Sequence, residues 1–243
     1  MTLARRASAE LAGTALLTTA VVGSGIAATR LSPQDVGLQL LENAVATALA
    51  LAALILMFGP VSGAHFNPVV STVDWWVGRR AGTGLSLPAL GVYAAAQTGG
   101  AILGAVLADL MCGLPPIAWS GTHRNGPPLW LAELVATAGL VLLVLALART
   151  GRTTAAPAAV GAYIGAAYWF TSSTSFANPA VTIGRAFTDT FAGIAPASVP
   201  GFVAAQLVGG LVAAAAIRWW YPGTDRAAED VTIPRLESEE ATL

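Results

Sequence analysis

Lysine is absent from this 243-residue chain; all twelve basic residues are arginine. Charge of either sign is scarce, at 10% of residues against about 25% for an ordinary soluble domain. The net charge of −1 offers no basic surface for nucleic acid. One cysteine, Cys112, excludes an intrachain disulfide. It reads as a small apolar residue near the end of a helix and not as a thiol site. Two histidines, His65 and His123, lie far apart, and no Cys/His or paired-carboxylate spacing accompanies them. A metal centre, an acid–base pair and a nucleophile with its base all lack the residues they need. No enzyme and no cofactor are expected.

What the chain has instead is apolar length: 55% of residues are hydrophobic and the mean hydropathy is +0.67. Uncharged runs extend over Leu11–Thr29, Asn43–Val73, Ala81–Ala108, Thr153–Gly184 and Thr190–Ile217. A sixth apolar stretch, Leu129–Ala148, carries only Glu133. A bilayer span takes about 20 apolar residues, so these runs predict six transmembrane helices. The first run is read as a retained span and not as a cleaved leader, because it has span length and opens on Glu10. Arg5, Arg6, Arg79, Arg80, Arg149, Arg152, Arg218, Arg226 and Arg235 fall at alternate segment ends or in the tails. Only Arg30, Arg124 and Arg185 fall on the other side. By the positive-inside rule both termini are cytoplasmic, in an inner (plasma) membrane protein. Residues 224–243 are polar, acidic and without aromatics, which predicts a disordered tail.

Two of the long runs contain Asn-Pro, at Asn67-Pro68-Val69 and Asn178-Pro179-Ala180. Asn is a favoured helix N-cap and Pro a favoured first helical residue, so each marks a helix start inside an apolar stretch. Backbone polar groups exposed at such a start are tolerated only in protein or beside a water-filled cavity. The pairing predicts two half-helices whose N-termini meet at a polar pore. Each Asn oxygen would cap its half-helix while its amide donors face the lumen. The positive helix ends would oppose cations and admit neutral hydroxylated solutes.

The second half echoes the first. Ala9-Glu10-Leu11-Ala12-Gly13-Thr14 matches Ala132-Glu133-Leu134-Val135-Ala136-Thr137. Phe66-Asn67-Pro68 matches Phe176-Ala177-Asn178-Pro179 with one insertion, and Gln97 and Gln206 follow the two Asn residues at similar distances. Three spans per half make the halves inverted repeats, 1–118 and 119–223, followed by the tail 224–243. Glycines at 23, 25, 99, 100, 104, 161, 165, 209 and 210 are expected where helices pack closely.

These motifs resemble the major intrinsic protein family, the aquaporins and aquaglyceroporins, over about Glu10–Tyr221. The resemblance implies an all-α fold of six transmembrane helices plus two re-entrant half-helices. It also implies a homotetramer with one pore per subunit and passive conduction. Glu10 and Glu133 would brace the loops before the half-helices. His65 would anchor its loop. Carbonyls of Gly63, Ala64, His65, Ser175, Phe176 and Ala177 would line the pore. Counting back from the motifs places the selectivity filter at Thr47, Ala166, Ser175 and Val181, all small and uncharged. Val181 stands where the family usually has an arginine, and Val69 where it usually has alanine. Arg185 is expected to pair with Asp189 one turn on, the alternative being a turn back toward the face of Val181. The stretch after Val181 resembles a bacterial subgroup linked to arsenic detoxification.

The expectation is a wide channel for small uncharged solutes: glycerol-like polyols, metalloid hydroxides such as arsenite, and water. A water-selective channel and an ion-coupled transporter are the alternatives. A transporter would place ionisable groups at the midplane, where the sequence offers only His65.

Overall fold

The computed structural model describes residues 1–79 and 82–221, and every structural statement here concerns those residues. The acidic segment 224–243, with Arg80, Arg226 and Arg235, lies outside them. The described chain is helical, without strands. The helices are α1 (Leu3–Leu31), α2 (Val36–Ser62), α3 (Pro68–Gly78), α4 (Leu87–Met111), α5 (Pro127–Arg149), α6 (Ala156–Phe170), α7 (Pro179–Gly184) and α8 (Val199–Trp220).

Helix starts follow from capping chemistry. Thr2, Asp35 and Ser86 accept from the backbone N–H three residues on, and α5 opens on Pro127-Pro128. Helix α2 ends two residues after Pro60, where Gly63 adopts φ +87°. Helices α1, α2, α4, α5 and the segment Pro196–Trp220 are long and apolar enough to cross a bilayer. The sixth expected span is shorter. Helix α6 has 15 residues, about 22 Å at 1.5 Å per residue, and is preceded by a 3₁₀ turn at Thr153–Ala155. It stops because Thr171 turns to extended backbone and begins the loop toward Asn178.

Two helix pairs mirror each other. On α4, Gly100 and Gly104 lie against the α1 backbone at Leu11 and Ala15. On α8, Gly209 lies against the α5 backbone at Leu134. A Cβ at any of these three would strike main chain, so glycine sets the helix–helix distance. Gly99 does not share this role, since space for a Cβ is open there. Between the pairs lies a core that includes Leu17, Val21, Leu140 and Val144.

The two half-helices differ in length. Helix α3 has 11 residues and α7 only six, after which the chain tightens into the 3₁₀ turn Arg185–Phe187. The carbonyls of Arg185, Ala186 and Phe187 accept from the N–H groups of Ile194, Ser120 and Ala118. Those bonds replace the ones that would have prolonged the helix.

Candidate functional site

Before each half-helix the chain takes the same contorted path. Gly63, Ala64 and Phe66 have positive φ, and so do Thr174, Ser175 and Ala177. Such a path leaves N–H groups without secondary-structure partners, and a buried carboxylate supplies them. Glu10 accepts from Ser62 Oγ (2.6 Å), His65 N (3.0 Å), Phe66 N (2.7 Å) and Gln97 Nε2 (2.7 Å). Glu133 accepts from Ser173 Oγ (2.6 Å), Phe176 N (2.9 Å), Ala177 N (2.8 Å) and Gln206 Nε2 (2.6 Å). These bonds align Ser62–Asn67 with Ser173–Asn178 residue for residue. The insertion read from the two phenylalanines is therefore absent: Phe66 corresponds to Ala177, and His65 to Phe176.

Asn67 Oδ1 accepts from Val69 N, and Asn178 Oδ1 from Ala180 N and Val181 N. The amide groups differ from expectation. Asn67 Nδ2 donates to the Ala177 carbonyl and Asn178 Nδ2 to the Phe66 carbonyl, each at 2.7 Å. One hydrogen of each amide thus ties the two loops together, and one remains for the lumen. Pro68 and Pro179 open their half-helices. Val69 packs over Gly210 of α8, while Ala180 is fully buried.

Both Asn residues border a cavity of about 60 Å³, several times the roughly 10–15 Å³ that one water needs. Its wall includes Ala64, His65, Phe66, Ser175, Phe176 and Val181, with apolar side chains such as Leu51, Ile55, Val160 and Ile164. Gly63 and Ala177 are not on that wall. His65 Nδ1 lies 3.0 Å from Ser71 Oγ, and its ring meets Tyr93 edge-on.

Two of the expected filter features are corrected. Ala166 is exposed on the outside of α6 and does not border the cavity. The inward stripe of α6 is Val160, Ile164 and Tyr168, at helical spacing, and residue 166 points away from it. Tyr168, unnoticed in the sequence, is buried, and its hydroxyl lies 3.2 Å from Thr47 Oγ1. The apolar repeat at 160, 164 and 168 was the signal that could have found it.

Arg185 does not pair with Asp189, whose carboxylate accepts from Gly121 N. It turns back onto the cavity wall. There its Nε donates to the Ala192 carbonyl and its guanidinium carbon lies 3.4 Å from the Phe176 ring centre. Thr47, Tyr168, Ser175, Val181 and Arg185 therefore share the cavity wall, and this group is neither small throughout nor uncharged. Arg124, in the segment between α4 and α5, approaches the same ring at 5.2 Å. Burial lowers its pKa from the ordinary value, and the Glu133 charge opposes that shift. No group of three or more metal-ligating side chains occurs among the described residues.

Comparison with known proteins agrees with this geometry. Residues 1–177 match the family model described as Major intrinsic protein. The chain is 51% identical to aquaglyceroporin AqpS of Rhizobium meliloti (strain 1021), over 89% of this chain and 90% of that protein. It is 31% identical to aquaporin Z of Bradyrhizobium diazoefficiens, over 88% and 92%. The solved structure of the aquaglyceroporin from Plasmodium falciparum superposes with a TM-score of 0.68 at 23% identity. That likeness covers 93% of this chain and all of that one, and speaks for the fold. With paired Asn-Pro half-helices around one lumen and a family match over most of its length, the chain belongs to the major intrinsic protein family.

Proposed function

We propose that solutes cross through the lumen where Asn67 and Asn178 meet, and are selected at a ring formed by Thr47, Tyr168, Ser175, Val181 and Arg185. As a family member the protein is a membrane channel for small uncharged solutes such as glycerol and water, and not an enzyme. One observation carries the pathway: the cavity is walled by hydrogen-bonding groups on one part and aliphatic side chains on another, with Arg185 as its one permanent charge and, among the described residues, no carboxylate on it. Such a wall replaces the hydration of a hydroxylated solute while its carbon skeleton contacts apolar surface. The only ionisable side chains on it are His65, Tyr168 and Arg185, none an acid that would bind a coupling cation.

Glu10 and Glu133 serve as braces, and the halves 1–118 and 119–223 as inverted repeats. Support comes from the matched hydrogen bonds of the two carboxylates and the matched positive-φ positions. Arsenite is a candidate solute because uncharged As(OH)3 resembles glycerol in size and hydroxyl display. Family membership supports a homotetramer in the plasma membrane, and the arginine distribution supports cytoplasmic termini. Exposed apolar residues on α2 such as Leu49, Leu56 and Met57 suit contact with lipid or a neighbouring copy.

A second reading, water selectivity, gains from Tyr168 and Arg185, which narrow the ring. Stopped-flow light scattering of proteoliposomes in a glycerol gradient separates the two. Shrinkage followed by fast re-swelling supports the polyol channel. Fast shrinkage without re-swelling beyond that of empty vesicles supports the water channel and overturns the first reading.

A further inference from the structure

Arg185 supplies a positive charge on a lumen wall that carries no carboxylate. The residue is only 3% exposed. Its Nε is taken by the Ala192 carbonyl and its flat face rests on Phe176, whereas its two terminal nitrogens donate to no acceptor among the described residues and are not sealed off. Ser175 Oγ, on the same wall, is buried without a hydrogen-bond partner. The Tyr168 and Thr47 hydroxyls are paired with each other, so one of their two hydrogens is left over.

Nothing nearby neutralises this cation by contact. Arg124, on the same Phe176 ring, adds a second positive charge and directs two of its donors to the Gly193 and Phe191 carbonyls. Glu133, whose carboxylate accepts from Phe176 N, has both oxygens occupied by four donors, three from the loop and one from Gln206 of α8. A desolvated guanidinium without an anion is costly, and its free edge matches a planar oxyanion in bidentate geometry.

We infer that the constriction binds a small planar oxyanion of the nitrate, formate or bicarbonate class. The guanidinium edge of Arg185 and the Ser175 hydroxyl hold it in the place a neutral solute would occupy. The anion is a blocker: it fits the donors at this ring but meets the apolar wall beyond it. The inference rests on the solute-channel reading and adds a ligand to the same constriction.

The probe is nitrate, which has no lipid-permeant acid form at neutral pH, with chloride as a spherical anion of equal charge. Glycerol re-swelling of proteoliposomes is compared in the two potassium salts, present on both sides at equal ionic strength. Wild-type re-swelling is expected to be about twofold or more slower in nitrate, and Arg185→Gln to show the same rate in both salts. Equal wild-type rates in the two salts, or undiminished nitrate slowing in Arg185→Gln, overturns the site. Should Arg185→Gln fail to fold, Ser175→Ala is expected to weaken the nitrate effect, and an unchanged effect counts against the site. Absence of any glycerol flux sinks the polyol reading alone. The anion site is then decided by whether nitrate raises the melting temperature relative to chloride more in wild type than in Ser175→Ala.

Discussion

The loop Gly63–Phe66 and the loop Thr174–Ala177 reach one backbone shape from different residues. Each has three positive-φ positions, one bracing glutamate and one glutamine behind it, and each lends a carbonyl to the other's asparagine. Around that shared frame the surroundings diverge. The first loop is flanked by His65 and Tyr93, with Arg6 donating to the Tyr93 hydroxyl. The second is flanked by Phe176 and Phe202, with Arg124 and Arg185 against the Phe176 ring. Residues that satisfy the backbone recur in both halves, while residues that meet the solute are free to differ. On the cavity wall the first loop therefore places a histidine, and the second an aromatic ring with Arg185 against it.

The largest expected effect comes from removing a brace. Glu133→Ala leaves the N–H groups of Phe176 and Ala177 and the Ser173 hydroxyl without an acceptor, at about 1–3 kcal/mol for each group. Loss of the folded protein in detergent, seen by size exclusion and thermal melting, is the outcome predicted, and Glu10→Ala should behave alike. A large effect from only one of the two would break the equivalence of the halves.

The asparagines sharpen the comparison. Asn178 caps two N–H groups and Asn67 one, although each also makes one cross-loop bond. Asn178→Ala should cost about 2 kcal/mol and Asn67→Ala about 1. Melting temperatures of the two variants check the order, and a reversed order contradicts the capping account.

A smaller effect of opposite sign is expected at Thr174. This β-branched residue holds φ +61°, where its counterpart in the first loop is Gly63. Left-handed backbone costs such a residue about 1–2 kcal/mol, so Thr174→Gly should raise the melting temperature, and Gly63→Thr should lower it. No change in either variant would mean that the surrounding bonds, and not the residue, set the strain. Smallest of all, Ala166→Leu should shift stability by less than about 0.5 kcal/mol, because the position is exposed.

Much of this architecture is legible in the sequence because the membrane makes simple demands. Apolar runs of span length, Asn-Pro inside them, and a glutamate at the head of each half are local patterns with local causes. The constriction is harder to read. Counting residues back from Asn178 reaches Ala166 only if the connecting loop and the phase of α6 are known, and the helix turns residue 166 outward. Arg185 was visible as a charge beside a half-helix, but its direction depends on α7 ending after six residues, which N–H groups of distant loop residues decide. The cross-loop amide bonds could not be seen from either half alone, since each needs the other half as its acceptor.

The constriction is where the sequence expectation and the structure part most clearly, so Tyr168→Ala against Ala166→Phe in the glycerol stopped-flow assay is the measurement of choice. A ring built from Thr47, Tyr168 and Arg185 predicts faster glycerol re-swelling and entry of larger polyols such as erythritol in Tyr168→Ala, with wild-type rates in Ala166→Phe. Blocked glycerol entry in Ala166→Phe, with Tyr168→Ala unchanged, would contradict the account and return the filter to residue 166.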